Sequence, residues 1–333
     1  MASTNTSSIE QYNTIFNNSV YSFWFYFVTI CSIPSVVCFI FDFYQFIKHR
    51  KTLIYENITH HIILCLLIND FIQVFIIQPF TLVYFYFGHI KYFYSVTYCM
   101  FWIYFNYTFI NQSLIFTAYA SVERYLLLFH KQLMLRHKIL FHYIPLLITI
   151  VYLPCMLFYL IFLFPCTHNF DPTQYECGAP CFAQSQPIGI INQIIHLFIP
   201  VTVLVFFNSF ILIRVLAQKK RSAAAVAGSL SANFWKQNSR MIIQLATICL
   251  LALAVWIPYV TSLLIQIFGD RAFGGSIIFF HIINATYIPN IGTPFFALIG
   301  FPVEIRGRMR TCITYLKRRQ QRQNRIANTT TAT

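Results

Sequence analysis

Seven long apolar runs dominate the hydrophobic pattern of the chain. They cover residues 21–47, 61–87, 99–129, 143–165, 188–216, 241–268 and 275–301. Each run is at least as long as the roughly 20 residues that an α-helix needs to cross a bilayer. The runs lack sustained alternation of apolar and polar positions, and they are too long for the strands of a membrane barrel. The pattern therefore predicts an all-α membrane protein, a bundle of seven transmembrane helices.

The composition supports a membrane environment. Of the 333 residues, 58% are hydrophobic and 10% are charged, whereas soluble domains carry about 25% charged residues. A globule of this size cannot hide so much apolar surface from water, so the solvent must be lipid. Several runs contain prolines, which a membrane bundle tolerates because neighbouring helices satisfy the carbonyls that proline frees.

The positive charges mark one side of the predicted bundle. The formal net charge is +14, and all Lys and Arg residues except Lys91 and Arg271 lie near or after the ends of the first, third, fifth and seventh runs. The positive-inside rule then places the N-terminus outside and the C-terminus in the cytosol. The excess charge is explained as a collar beside anionic membrane lipid, so we expect no nucleic-acid partner.

This orientation divides the chain into four parts. Residues 1–20 predict a disordered extracellular tail with glycosylation sequons at Asn5 and Asn17. The helical bundle covers residues 21–301. Residues 302–318 have the pattern of an amphipathic interfacial helix, in which Cys312 is a candidate for palmitoylation. Residues 319–333 predict a disordered cytoplasmic tail.

The orientation also places four cysteines outside, where disulfides persist. They are Cys99, Cys166, Cys177 and Cys181. Four cysteines allow three pairings. One bridge from Cys99 to the loop before the fifth run would hold that loop over the mouth of the bundle.

The third run ends in the triplet Glu123-Arg124-Tyr125. Such a triplet alone is usually a solvated helix end. Here Arg124 follows Cys99 by 25 residues, which is about 37 Å along a helix and matches one membrane thickness. Glu123 can neutralise Arg124 while the bundle is closed, and a cytosolic partner can engage the guanidinium when the bundle opens.

Further motifs follow in order on the other runs. They are Asp70 in the second run, Pro200 in the fifth, Trp256-Ile257-Pro258 in the sixth and Thr293-Pro294 in the seventh. Together with Cys99 and the triplet, they resemble the rhodopsin-like (class A) G-protein-coupled receptors over residues 20–318. In its high content of aromatic residues, the sequence resembles divergent invertebrate orphan, chemosensory or peptide receptors of this family.

The resemblance implies a receptor of the plasma membrane that is not an enzyme. Its partners would be an extracellular ligand, a heterotrimeric G protein, arrestin and membrane lipid. Its disulfide would join Cys99 to Cys181 or to Cys177, and the remaining cysteine would pair with Cys166. The switch residues implied by the family are Glu123, Arg124, Tyr125, Trp256, Pro258 and Pro294.

The resemblance also implies a sodium ion at Asp70 and Ser113. The first run lacks the asparagine that the family uses there, and Asp42 lies near that level instead. Repulsion between two acids favours protonation of one of them. We therefore expect the sodium dependence to be weakened or replaced by protonation. The alternative is a protonated Asp70 that is hydrogen-bonded to a neighbour.

Three departures from the family concern the cytoplasmic switch. Ala297 replaces the tyrosine of the seventh helix, and Asn208 replaces that of the fifth. Asn238 stands where some members have an acid that faces the arginine. The inactive state would then depend on Glu123 alone, so we expect raised basal activity.

Helical spacing and the family motifs predict an outer cavity that is rich in amide and aromatic groups and contains no acid. Its predicted lining residues are Asn106, Tyr107, Ile110, Asn192, Gln193, His196, Tyr259, Asn284 and Tyr287. Amine receptors of the family carry an aspartate at the position of Asn106, and opsins carry a lysine at that of Tyr287. These differences favour a neutral small molecule or a short peptide as ligand.

Two other functions fit the pattern less well. A transporter predicts internal repeats and charged helices at the midplane, and the chain shows no such repeat. A scaffold or decoy receptor that does not signal is compatible with Ala297.

Overall fold

The computed structural model describes residues 3–55, 58–91, 95–224, 229–269, 273–274 and 276–300, and these residues form seven long helices and no strand. Helices that run through several consecutive segments keep one label here. In chain order the helices are α1 (Ser3–Lys48), α2 (Thr59–Ile72, Gln73–Ile77 and Gln78–Phe87), α3 (Val96–Phe129), α4 (Ile139–Tyr143, Ile144–Phe158 and Tyr159–Leu163), α5 (Gln186–Gln193, Ile194–Phe198 and Ile199–Ala224), α6 (Ser229–Phe268) and α7 (Ile277–Ala285 and Tyr287–Gly300). The predicted all-α bundle is confirmed.

Prolines shape three of these helices. In α2, α4 and α5 a π-helical turn lies shortly before Pro79, Pro145 and Pro200, respectively. Proline has no N–H to donate, and its ring clashes with the carbonyl one turn earlier. A wider turn at that point relieves the clash while the helix continues.

Five of the helices are long and apolar enough to cross a membrane by length and composition. These segments are Ser19–Lys48, His60–Phe87, Ile139–Leu163, Pro187–Arg214 and Ala246–Phe268. The other two predicted spans, α3 and α7, are less apolar or less continuous. α3 carries Asn106, Asn111 and Gln112 in its middle, and α7 is interrupted at Thr286.

α3 lies at the centre of the bundle and packs against α2, α4, α5, α6 and α7. Its buried face joins a core that includes Leu66, Phe116, Leu204 and Trp256. Large apolar side chains such as Ile33 and Leu147 point outward, as expected where the surrounding medium is lipid. Close packing, rather than exclusion of water, stabilises helix contacts in such a medium.

The two ends of the chain differ from the prediction or lie beyond it. α1 begins at Ser3, where the sequence predicts a disordered tail up to residue 20. The side chains of Asn5 and Asn17 lie outside the described residues, as do the predicted amphipathic helix at 302–318, its Cys312 and the tail at 319–333.

Two disulfides fix the loop between α4 and α5. Cys99 at the start of α3 bonds to Cys177, with 5.8 Å between the Cα atoms. Cys166 bonds to Cys181, with 6.0 Å between the Cα atoms. Of the two pairings that the family resemblance left open for Cys99, the structure has the one with Cys177.

Mass spectrometry of a non-reduced digest tests this connectivity. We expect one cross-linked peptide pair that contains Cys99 and Cys177, and another that contains Cys166 and Cys181. The loop path brings these partners together, so other pairs should be absent from folded protein. A Cys99–Cys181 peptide as the main species would contradict the structure.

Candidate functional site

A cavity lies at the outer end of the bundle, between α3, α5, α6, α7 and the loop before α5. All of the predicted cavity residues except Asn284 line it: Asn106, Tyr107, Ile110, Asn192, Gln193, His196, Tyr259 and Tyr287. Asn284 is fully buried, and its side-chain amide donates to the Phe280 carbonyl at 2.7 Å.

The expectation that this cavity contains no acid is wrong. Glu176, from the loop between α4 and α5, lines it and is only 6% exposed. The adjacent Cys177 is bound to Cys99, which holds the loop against α3. The backbone at Glu176 and Cys177 has φ angles of 53° and 58°, an uncommon left-handed conformation for residues other than glycine. This turn accompanies the burial of the Glu176 side chain.

Asn106 connects Glu176 to three helices. Its side-chain N–H₂ group donates to the Glu176 carboxyl group. Its carbonyl oxygen accepts from Gln73 of α2 at 2.8 Å and from the Tyr287 hydroxyl of α7 at 3.2 Å. The Tyr287 hydroxyl also lies 2.6 Å from that of Tyr175. The network therefore ties the loop to α2, α3 and α7.

The two acids of this loop differ in their surroundings. Burial raises the pKa of Glu176 to about 7, although hydrogen bonds from Asn106 and Tyr175 act in the opposite direction. Hydrogen bonds from the side chain and backbone of Thr173 lower the pKa of Asp171. Glu176 is thus the acid of the loop that changes its charge near neutral pH.

Trp256 lies where α6 approaches the cavity. The Trp256 side chain is buried, lines the cavity and belongs to the central core. Its ring centroid lies 5.7 Å from that of Tyr259, edge to face. Pro258 and Pro294 lie inside α6 and α7. A group that enters the cavity therefore contacts a side chain that also packs in the core.

The predicted cation site lies deeper in the bundle. Asp70 is fully buried and accepts from the Asn69 amide at 3.1 Å, and the hydroxyl groups of Ser113 and Thr293 lie near it. Its second oxygen has no partner among the described residues. A carboxyl group among side-chain oxygens is a donor set that suits a hard cation. Asp42 is also buried, but within the described structure neither of its oxygens is hydrogen-bonded, so no hydrogen bond joins it to Asp70.

At the cytoplasmic end, Glu123 has a partner that the sequence did not indicate. Its carboxylate lies 2.7 Å from Nδ1 of His142 in α4. Nε2 of His142 lies 3.0 Å from Nδ1 of His61 in α2, and Nε2 of His61 lies 2.7 Å from the Ile54 carbonyl oxygen. This chain of hydrogen bonds connects α3, α4, α2 and the turn before α2.

The number of hydrogens that these three hydrogen bonds need defines the combined charge of Glu123, His142 and His61. The Ile54 carbonyl only accepts, so Nε2 of His61 must carry a hydrogen. If Glu123 is ionised, the three hydrogen bonds need three N–H groups on two imidazoles, and one histidine is an imidazolium. If Glu123 is protonated, both imidazoles are neutral. In both arrangements the side chains of Glu123, His142 and His61 together carry no net charge. Glu123 therefore does not need Arg124 as its counter-ion.

Arg124 is therefore placed differently from the sequence expectation. Its guanidinium is buried, and Nη1 has no hydrogen-bond partner among the described residues. It lines an apolar cavity of about 180 Å³ between α3, α5 and α6. Asn208 lines the same cavity and donates to Ser121 of α3 at 2.9 Å. Tyr125 meets the rings of Phe207 and Phe210 of α5 edge to face. The Asn238 side chain lies outside the described residues.

Comparison with known proteins gives one family and one fold. Residues 43–290 match the family model described as 7 transmembrane receptor (rhodopsin family). The crystal structure of squid rhodopsin is similar, with a TM-score of 0.67 and 16% sequence identity, over 90% of this chain and 87% of that chain. No curated protein sequence matches the chain significantly.

The buried hydrogen bond between Glu123 and His142 predicts the effect of removing the histidine. His142→Ala leaves a buried acid without its partner and should lower the free energy of unfolding by about 3–5 kcal/mol. The loss should be much smaller in a Glu123→Gln background, because that variant has no charge to compensate. Unfolding of purified protein in detergent measures both values.

His137→Ala is the matched control, because His137 is an exposed histidine in the neighbouring segment. It should change the free energy of unfolding little. An equal loss for His142→Ala with and without Glu123 would show that the two side chains are not coupled.

Proposed function

Because the chain belongs to the rhodopsin family of seven-transmembrane receptors, we propose that it binds an extracellular ligand in the outer cavity and opens its cytoplasmic side to a heterotrimeric G protein. The observation that carries this proposal is the placement of two sites on one helix. Asn106 of α3 lines the outer cavity, and the buried Arg124 of α3 lines the inner one. The N-terminus is then extracellular, as the positive charges predict.

Trp256 is the proposed link between ligand and switch. A ligand in the outer cavity would press on its indole, which packs in the core beside α3 and α6. A small rotation above the kink at Pro258 becomes a larger displacement of the cytoplasmic half of α6. That displacement widens the apolar cavity beside Arg124 and exposes the guanidinium to a G protein, with arrestin as a further partner of the same opening.

We propose that the state described here is inactive, and that Arg124 is held in it without a close ion pair among the described residues. Ala297 is buried among apolar side chains of α1 and α2 and offers no hydroxyl. Asn208 is engaged with Ser121, and Glu123 with His142. We therefore propose that basal activity is raised, since no described carboxylate pairs closely with Arg124.

The ligand that fits the cavity is a small molecule or a short peptide. Asn106, Asn192 and Gln193 offer amide groups, and Tyr107 and Tyr259 offer aromatic walls. Glu176 changes the expectation of a wholly neutral ligand, because the cavity also presents a carboxyl group.

Asp70 supports a proposal about sodium. Its unpartnered oxygen, with Ser113 and Thr293 nearby, suits a cation. However, the family's asparagine is missing from α1, and Asp42 makes no hydrogen bond to Asp70 in the described structure, so α1 adds no donor to the site. We propose weakened sodium dependence. Replacing potassium chloride by sodium chloride at equal ionic strength should raise the thermal midpoint by less than the ~2–4 °C that 1 kcal/mol of binding would give. The thermal midpoint of Asp70→Asn should show the same small rise when sodium replaces potassium. A larger, Asp70-dependent rise would contradict weakened binding.

Guanine-nucleotide exchange tests the proposed function. The receptor is reconstituted in nanodiscs with purified heterotrimers of each G-protein class. We expect basal exchange above that of empty nanodiscs with at least one class. Arg124→Ala should lower the exchange above that of empty nanodiscs at least about tenfold. A group that contacts a partner in a buried site contributes more than about 1.4 kcal/mol to the binding free energy, which corresponds to this factor.

Lys48→Ala serves as the control, because Lys48 is an exposed cation at the same end of the bundle. It should leave exchange unchanged. Exchange equal to that of empty nanodiscs with every class would contradict the proposal. Substrate flux without exchange would identify a transporter, and ligand binding without exchange would identify a decoy.

A further inference from the structure

We propose that Glu176 binds a cationic group of the extracellular ligand, an ammonium or a guanidinium. The inference rests on the proposed function, because it takes the outer cavity as the ligand site. It adds the chemical class of the ligand and names the residue that recognises it. The sequence-based expectation of a neutral ligand did not include this residue.

The first argument is that the position of Glu176 is fixed. The disulfide from Cys177 to Cys99 anchors the loop to α3 at the next residue. The carboxyl group accepts from Asn106, which is itself held by Gln73 and Tyr287. A carboxyl group held by surrounding helices is preorganised for a ligand, so little binding energy is lost in ordering it.

The second argument is that the described part of the protein supplies no cation to Glu176. Among the described residues that line the cavity there is no Lys or Arg. His196 lines the cavity from α5, and its Nδ1 bonds within its own helix to the backbone and side-chain oxygens of Asn192, each at 3.0 Å. Its Nε2 has no hydrogen-bond partner among the described residues, so no hydrogen bond joins this ring to Glu176. A buried carboxylate without a counter-charge is unfavourable. A cation on the ligand would provide that charge.

The third argument is the aromatic wall that surrounds the carboxyl group. The titratable groups that face it from the packed elements are Tyr107 of α3, Tyr175 of the loop, Tyr259 of α6, Tyr287 of α7 and His196 of α5. Rings of tyrosine and tryptophan attract cations through their π faces, and such cages recognise ammonium groups. An acid among tyrosines therefore favours a cation over an anion or a neutral group.

The size of the cavity limits the group that enters. The free space is about 50 Å³, enough for a few water molecules. Only a head group of a few heavy atoms can enter this space beside Glu176, and the rest of a larger ligand would extend towards the mouth.

The pH dependence follows from the loop acid. Burial raises the pKa of Glu176 to about 7, so the carboxyl group is mostly protonated at pH 6 and mostly ionised at pH 8. A permanent cation binds the ionised form. Its affinity should be about tenfold weaker at pH 6 than at pH 8, because the ionised fraction changes by that factor.

Choline and its neutral carbon isostere test the proposal. In the isostere a tert-butyl group replaces the trimethylammonium group, so shape is kept and charge is removed. Binding to the full receptor in nanodiscs is measured by titration calorimetry at pH 6 and pH 8, at constant ionic strength. We expect choline to bind at least tenfold more tightly than the isostere at pH 8, and to weaken about tenfold at pH 6.

Variants assign the effect to Glu176. Glu176→Gln should weaken choline binding at least tenfold at pH 8 and remove the pH dependence of that binding. Glu176→Asp should retain most of the affinity and most of the pH dependence. Asp171→Asn is the matched control: it removes one negative charge from the same loop but keeps an oxygen that can accept from Thr173. It should leave choline affinity unchanged. The pH profile of the wild-type receptor tests the proposal even if Glu176→Gln does not fold.

Three results would overturn the inference: no choline binding by the wild-type receptor, equal affinity for choline and the isostere, or choline affinity that is the same at pH 6 and pH 8. These outcomes are separate from failure of the proposed function. Choline binding without nucleotide exchange would reject G-protein coupling alone. Exchange without cation-selective binding would reject the role of Glu176 alone.

Discussion

Polar side chains buried in a bundle that faces lipid must find their partners inside the protein, and α3 carries this constraint for the whole molecule. In lipid no water is available to hydrogen-bond with them. Asn106, Ser121 and Glu123 all lie on the buried face of α3. Their partners come from α2, α4, α5, α7 and the outer loop. These contacts orient the surrounding helices around α3.

The same constraint produces, near each end of α3, a network of hydrogen bonds around one buried carboxyl group. At the outer end, a loop acid enters the bundle and is held by Asn106. At the inner end, Glu123 is neutralised by a histidine of α4 rather than by its neighbour Arg124. Arg124 thus lies buried beside an apolar cavity, without a close carboxylate among the described residues. We infer that this arrangement makes the inner end easier to open than one that closes on an arginine–carboxylate pair.

Much of this arrangement could be predicted from local sequence. Apolar runs and their lengths gave the helices, and helical spacing from Cys99 and Arg124 correctly put Asn106 and Tyr107 in the cavity. Contacts that depend on the path of a loop could not be predicted. Glu176 was missed although it precedes one of the two cysteines that the family resemblance offered as partners of Cys99. His142 was missed because its pairing with Glu123 depends on how α4 packs. Asn284 was misplaced: Ile283, Thr286 and Tyr287 of α7 line the cavity, and Asn284 does not.

The central claim is that α3 and α6 separate at the cytoplasmic end when a G protein binds. The most direct measurement is a distance between spin labels at His130, just after α3, and Leu250, on the exposed face of α6. Double electron–electron resonance spectroscopy gives this distance in nanodiscs with and without nucleotide-free G protein. The account predicts a longer distance in the complex, and a minor population at that longer distance in the receptor alone. An unchanged distance in the presence of bound G protein would contradict it.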